Sequence, residues 1–243
     1  MKNFLVIGNP IEHSLSPKLH NYWIKKNHIK AIYEKQKINE TDLEDLILQV
    51  KRKKIDGINV TVPFKKKVIP FLDKLTLEAE KTQSVNTIYF NNDQIVGHNT
   101  DIYGFETSIK KSKFDICNKE ILILGAGGVV PSIIFALNKM KVSKIIISNR
   151  TKDKAKDLNS LFNNLNIIEW GEIPNFDMII NATSLGLKKE DKINLDFSSI
   201  GKNKFFYDVI YNPKETNFLK TAKNLGNLAL NGKLMFIYQA LSA

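Results

Sequence analysis

The segment that most restricts what this chain can fold into is an unbroken apolar strand that runs straight into glycines. Glu120–Leu124 reads as that strand, Gly125-Ala126-Gly127-Gly128 follows at once, and a helix continues to about Met140. Lys144–Ser148 reads as the next strand, residues 153–162 as a helix, and residues 167–170 and Met178–Asn181 as further strands. Strand, glycine turn, helix, strand is the βαβ unit of a dinucleotide-binding fold.

A dinucleotide pyrophosphate needs backbone N–H groups aimed at it and no side chain in the way. Gly125 and Gly127 supply the tight turn and the close approach, and the helix that follows supplies its N-terminal dipole. The common G-x-G-x-x-G spacing would place a third glycine at position 130, where this chain has Val130, so a looser fit of helix on strand is expected. The strand before the turn and the helix after it favour nucleotide binding over a merely structural turn. The end of the next strand selects the nucleotide. It reads Asn149-Arg150-Thr151-Lys152 with Lys154 beyond, three cations and no carboxylate. A carboxylate would grip a ribose 2′-OH, whereas arginine bonds a 2′-phosphate and stacks on adenine, so NADP is the expected cofactor. The alternative is a basic helix start with no ligand. Cations there oppose the helix dipole, although Asp153 and Asp157 partly offset them.

The first half also alternates strands and helices. Residues 2–7 read as a strand ending at Gly8, Ser16-Pro17 as a helix start with serine as the cap, and residues 32–36 as a strand. Thr41-Asp-Leu-Glu44 has a capping-box pattern before a helix whose Leu43, Leu46, Ile47 and Val50 recur at helical spacing. Residues 57–62 read as a strand, and residues 88–90 and 94–96 as a hairpin around Asn91-Asn92-Asp93. The boundary between two domains is expected near residues 101–105, where a helix would carry the chain across. Polar segments at these strand ends bring Ser, Asn, Thr, Lys and Asp towards the carboxyl edge of a sheet, where α/β folds bind ligands. Such a site suits a polyhydroxylated acid. Each residue also has a plainer role: Ser16 as a cap, Lys65 as the start of the solvated run Lys65-Lys66-Lys67, Asp101 as a helix cap. His13 and His98 stand in no cluster with zinc-ligand spacing, so no metal is expected.

The bulk properties fit this picture. The 243 residues are 43% hydrophobic and 25% charged, which suits a globular protein with a real core. No stretch approaches the roughly 20 apolar residues of a membrane span, the N-terminal apolar stretch is too short for a secretory signal, and the single Cys117 can form no internal disulfide. A cytoplasmic protein with no membrane partner is expected. The net charge of +11 is spread over lysines along the whole chain, with no arginine-rich tract, so nucleic acid is not an expected partner. A positive field would still draw in anionic small molecules.

The segments Gly8-Asn-Pro-Ile-Glu-His-Ser-Leu-Ser-Pro, Asn59-Val-Thr-Val-Pro-Phe-Lys, Val85-Asn-Thr and Gly97-His-Asn-Thr-Asp together resemble shikimate dehydrogenases. The resemblance continues through Gly125-Ala-Gly-Gly, Asn149-Arg-Thr, Asn181-Ala-Thr-Ser-Leu-Gly, Tyr207-Asp-Val-Ile-Tyr-Asn-Pro and Gln239-Ala240, in the family's order over nearly the whole chain. It implies an α/β protein of two α/β domains with a cleft between them: an N-terminal substrate domain of residues 1–101 plus 233–243, and a Rossmann-type NADP-binding domain of residues 102–232. Members usually continue for another helix beyond the position of Gln239, and this sequence stops soon after it.

The resemblance also implies roles. Ser14 and Ser16 would hold the substrate carboxylate, with the Tyr211 hydroxyl nearby. Thr61, Asn86, Asp101 and Gln239 would bond the ring hydroxyls, and Lys65 would transfer the proton with Asp101 beside it. Gly125, Ala126, Gly127, Gly128 and Val129 would bind the pyrophosphate. Asn149, Arg150, Thr151, Lys152 and Lys154 would bind the adenosine 2′-phosphate, and Val209 and Gly232 would lie near the nicotinamide. The implied reaction is the reversible NADPH-dependent reduction of 3-dehydroshikimate to shikimate, on the way to chorismate and aromatic amino acids, by a monomer or homodimer. Two alternatives stay open. One is an NAD-dependent quinate/shikimate dehydrogenase, which would carry an acidic residue where Asn149-Arg150 stands. The other is a non-catalytic NADPH-binding sensor, which would not need Lys65 and Asp101 together.

Overall fold

A computed structural model describes residues 1–188 and 190–243. The chain divides into two compact units, Met1–Asp101 with Gln239–Ala243, and Ile102–Tyr238.

The first unit is built on β1 (Lys2–Gly8), α1 (Ser16–Lys26), β2 (Ala31–Lys37), α2 (Leu43–Lys51), β3 (Gly57–Val60), β4 (Lys74–Leu75), α3 (Leu77–Thr82), β5 (Thr87–Asn91) and β6 (Gln94–His98). The six strands form one sheet in the order β2-β1-β3-β5-β6-β4. β1 pairs in parallel with β2 and β3, β5 pairs antiparallel with both β3 and β6, and β4 pairs in parallel with β6. The β5–β6 turn is tight because Asn92 and Asp93 both adopt positive φ, 47° and 57°, which Asn and Asp tolerate better than other side chains. One sheet face carries the main core, where Ile7, Ile58 and Val60 meet Leu43, Leu46, Ile47 and Val50 of α2. The opposite face is thinner, with Val6, Ile11 and Tyr33 packed beside Phe4 and Ile24.

Three local expectations need correction. β3 ends at Val60 and not at residue 62, because the chain turns there: the Thr61 N–H donates to the Ile7 carbonyl and the Phe64 N–H to the Thr61 carbonyl. Ser16 does not cap α1. Leu15 is the cap residue, and the Ser14 hydroxyl accepts the Ser16 N–H at 3.3 Å. Before α2 the reciprocal cap joins Asn39 and Asp42 and not Thr41 and Glu44: the Asp42 carboxylate accepts the Asn39 N–H at 3.1 Å across a short 3-10 turn.

The second unit begins within α4 (Asp101–Ser112) and continues through β7 (Glu120–Leu124), α5 (Val130–Lys139), β8 (Lys144–Ser148), α6 (Lys152–Phe162), β9 (Asn166–Ile168), β10 (Met178–Asn181), β11 (Phe205–Asp208), α7 (Asn217–Asn224), β12 (Leu228–Asn231) and α8 (Lys233–Ser242). Gln239, within α8, belongs to the first unit. The sheet order is β12-β11-β10-β7-β8-β9, parallel throughout. Strand order reverses at β7, so the turn after β7 sits at the switch point where such sheets bind ligands. The apolar strands are explained by burial on both faces. Ile121 and Ile123 of β7 join one core with Met178, Ile180 and Tyr207, while Leu122 and Leu124 join another with Ile179 and Phe206.

Candidate active site

In the first unit the strand ends gather one polar cluster. Lys65 follows the turn after β3, and its backbone carbonyl accepts the Val85 N–H at 2.8 Å, which fixes the root of the side chain. Its Nζ lies 2.5 Å from Oδ2 of Asp101, and the two side chains are only 12% and 8% exposed. The neighbouring lysines differ: Lys66 is exposed, and Lys67 is exposed and paired with Glu40. Asp101 opens α4, with its N–H donated to Oδ1 of Asn99 at 3.0 Å.

Asn86, just before β5, ties the cluster together. Its amide nitrogen donates to Asp101 Oδ1 at 3.0 Å, to the Thr100 hydroxyl at 2.9 Å and to Oε1 of Gln239 at 3.5 Å. Its carbonyl oxygen accepts the Thr100 N–H at 2.8 Å and the Thr87 hydroxyl at 3.1 Å. The whole amide is therefore oriented, and Asn86 is only 3% exposed. The α1 side is tied in by Asn59, whose amide nitrogen donates to the Asn86 backbone carbonyl and whose amide oxygen accepts the Tyr33 hydroxyl at 2.7 Å. Thr61 lies directly over Gly8, where an added Cβ would stand 2.6 Å from its methyl carbon, so only glycine fits there.

In the second unit the turn after β7 is tight and packs closely on the loop that leaves β10. Gly125 has φ +108°, and an added Cβ would stand 3.0 Å from the Ala182 carbonyl oxygen. Gly127 and Gly128 are exposed, and a Cβ on Gly127 would meet only the Ala182 carbonyl oxygen, at 3.8 Å. Val130, at the third-glycine position, is fully buried beside Ile121 and Ile123, so the helix seats on the strand through a side chain. At the end of β8, Arg150 and Lys154 are exposed and have no acidic partner among the described residues, while Lys152 pairs with Glu169. The Asn149 amide donates to the Thr151 carbonyl at 2.6 Å. Open glycines at a helix start, with unpaired cations at the next strand end, fit a dinucleotide bearing a 2′-phosphate.

Two family models match: "Shikimate dehydrogenase substrate binding domain" over residues 6–88 and "Shikimate / quinate 5-dehydrogenase" over residues 108–209. A shikimate dehydrogenase (NADP(+)) of Pelagibacter ubique is 61% identical over 242 residues, covering 100% of this chain and 91% of the relative. The chain belongs to the shikimate dehydrogenase family. Among solved structures, the Aquifex aeolicus shikimate dehydrogenase superposes with a TM-score of 0.90 at 37% identity, over 100% of this chain and 90% of that one. The Thermus thermophilus enzyme, solved in complex with NADP(H) and shikimate, superposes with a TM-score of 0.89 at 29% identity, over 99% and 90%. The fold is the two-domain α/β fold of the family, an N-terminal substrate domain followed by a Rossmann-type domain.

Against the sequence-derived site residues, the structure joins Lys65, Asp101, Asn86 and Gln239 in one hydrogen-bonded cluster, with Ser14 and Ser16 at the start of α1 and Thr61 at the end of β3. Tyr211 lies in the second unit, its ring stacked on Phe236 at 4.3 Å. Val209 and Gly232 are adjacent there: a Cβ on Gly232 would stand 2.0 Å from the Val209 carbonyl oxygen. Sequence reasoning missed the supporting residues Tyr33, Asn59, Thr87 and Thr100. Three of them lie in or beside the quoted motifs, but Tyr33 stands in a strand with nothing to distinguish it.

Proposed function

We propose that this protein catalyses the reversible reduction of 3-dehydroshikimate to shikimate with NADPH, supplying shikimate for chorismate and aromatic amino acids. Lys65 is the proton-transfer group and Asp101 assists it. The observation that carries this reading is the Lys65–Asp101 pair, nearly closed to solvent within a cluster of amides and hydroxyls. An ion pair that only served solubility would sit at the surface, as Lys67–Glu40 does. Bound NADPH supplies the hydride. Lys65 meets the negative charge that develops on the substrate carbonyl oxygen and gives up an Nζ proton to it. In the oxidising direction, neutral Lys65 takes that proton back. Asp101 holds the ammonium in place, and Asn86 holds the other carboxylate oxygen so that Asp101 cannot swing away.

The remaining roles are those that the resemblance to the family implies. Ser14 and Ser16 read the substrate carboxylate at the start of α1, where an anion is favoured. Thr61, Asn86, Asp101 and Gln239 bond the ring hydroxyls, and the Tyr211 hydroxyl supports carboxylate binding. Gly125–Val129 hold the pyrophosphate, Asn149, Arg150, Thr151, Lys152 and Lys154 the 2′-phosphate, and Val209 and Gly232 flank the nicotinamide. The deciding experiment is an absorbance assay of NADPH consumption with 3-dehydroshikimate. Turnover with NADPH, and much weaker turnover with NADH, supports the proposal. NADPH binding without turnover would leave only a sensor, and equal use of NADH with quinate would favour the NAD-dependent alternative.

A further inference from the structure

Two motifs of the second unit have no role in the chemistry above: Asn181-Ala-Thr-Ser-Leu-Gly186 and Tyr207-Asp208. Their side chains meet at the carboxyl ends of the neighbouring strands β10 and β11. Asp208 is fully buried. Its Oδ1 accepts the Ile210 N–H at 3.0 Å and the Asn181 amide at 3.1 Å, and its Oδ2 accepts the Thr216 hydroxyl at 2.5 Å. Asn181, also fully buried, uses its carbonyl oxygen to accept the Thr183 N–H at 3.1 Å and the Thr183 hydroxyl at 2.7 Å. Its amide also donates to the Leu185 carbonyl at 3.0 Å. The two side chains thus tie down both loops that leave these strands.

Each of those loops presses against a glycine. Beyond Asn181, the Ala182 carbonyl oxygen and Thr183 Cγ2 would lie 3.0 and 3.1 Å from a Cβ on Gly125. Beyond Asp208, the Val209 carbonyl oxygen would lie 2.0 Å from a Cβ on Gly232. A buried carboxylate is costly, and an apolar strand end would serve stability alone at least as well. We infer that Asp208 is a positioning residue for the cofactor: through Asn181 on one side and Ile210 and Thr216 on the other, it fixes the Ala182–Thr183 and Val209 stretches against Gly125 and Gly232, whose missing side chains let these stretches close in beside the proposed NADPH site. The inference rests on the proposed placement of NADPH at the glycine turn.

The test measures NADPH affinity by fluorescence titration and the KM for 3-dehydroshikimate in the intact protein and in Asp208→Ala, Asp208→Asn and Gly125→Ala. Asp208→Ala is expected to weaken NADPH binding by about tenfold, the effect of one lost set of buried hydrogen bonds, and to change the substrate KM by less than about twofold. Asp208→Asn can still accept from Ile210 and Asn181 and can donate to Thr216, so it should bind NADPH nearly as the parent does. Unchanged NADPH affinity in Asp208→Ala, or equal losses for both ligands, would overturn the inference. So would an Asn variant as weak as the Ala variant. Gly125→Ala separates the two levels. If it also binds NADPH normally, the placement of the cofactor is wrong. If it binds weakly while Asp208→Ala does not, only the positioning role fails. Should Asp208→Ala not fold, Thr216→Val removes one donor to the same carboxylate. A several-fold loss of NADPH affinity is expected there, and an unchanged affinity would overturn the inference.

Discussion

Lys65, Lys66 and Lys67 share one side chain and three successive positions, yet their surroundings give them different chemistry. Loss of a positioned acid–base group costs about 10²–10⁴ in rate. Lys65→Ala is therefore expected to collapse turnover while both ligands still bind, and Lys66→Ala and Lys67→Ala to change little. Equal behaviour of the three in a turnover assay would leave the run as surface charge only. Buried Asp208 and half-buried His20 each contribute to the expected pH response of folding. Burial pushes Asp208 up from its ordinary 3.8 to about 6, so between those values the folded state holds the proton more tightly than the unfolded chain. Stability from this group therefore falls as pH rises through that window, by about 3 kcal/mol in total. Burial lowers His20, stacked on Tyr33 at 4.1 Å, from 6.5 to about 4, so its contribution is full above 6.5 and is lost as pH falls. Asp208→Asn should thus gain melting temperature over the parent at pH 7.5 and lose that gain near pH 4, whereas His20→Phe should gain only on the acid side. Melting curves whose differences do not change with pH would contradict both assignments. At this scale little is legible from residue type. Lys65 and Asp101 stand 36 positions apart, and only the ordered set of motifs singles them out.

At the scale of elements, the strands β7, β8 and β10 are legible in the sequence with their observed limits, because burial on both faces leaves an unbroken apolar run. The strands β11 and β12, the helix α7 and the two-residue β4 are not. β11 is four residues ending in a buried carboxylate, β12 keeps an exposed leucine, and β4 is too short to show any period. α7 does carry a start signal, since the Thr216 hydroxyl accepts the Leu219 N–H, but only three of its eight residues are buried. The cations at the β8 end are legible in the sequence; the Lys152–Glu169 pair is not, since Glu169 lies 17 residues on. Arg150→Ala is expected to raise the KM for NADP far more than that for NAD, and equal efficiency with the two cofactors in the parent would refute the 2′-phosphate reading. Glu169→Gln frees Lys152 and should lower the KM for NADP by up to about fivefold, the scale of an exposed ion pair. A KM for NADP that rises in Glu169→Gln would show that the glutamate serves the site in another way.

For the whole molecule, the excess of positive charge acts on ligands before any contact forms. Both proposed ligands are anions, and the net charge is +11. Raising ionic strength from about 0.01 M to 1 M shortens the screening length from about 30 Å to 3 Å. The KM for NADPH and for 3-dehydroshikimate should rise together over that range with kcat little altered, and flat KM values would show that the lysines only solvate the surface. The order of synthesis has its own consequence. Met1–Asp101 leaves the ribosome first and contains the sheet, the main core and both members of the Lys65–Asp101 pair. Gln239, which accepts from Asn86 and so completes that cluster, follows 138 residues later (239 minus 101). At 5–20 residues per second this is a delay on the order of ten seconds. Through that interval the nascent first unit already carries Lys65, Asp101 and Asn86, while one hydrogen-bond partner of Asn86 is still to be made.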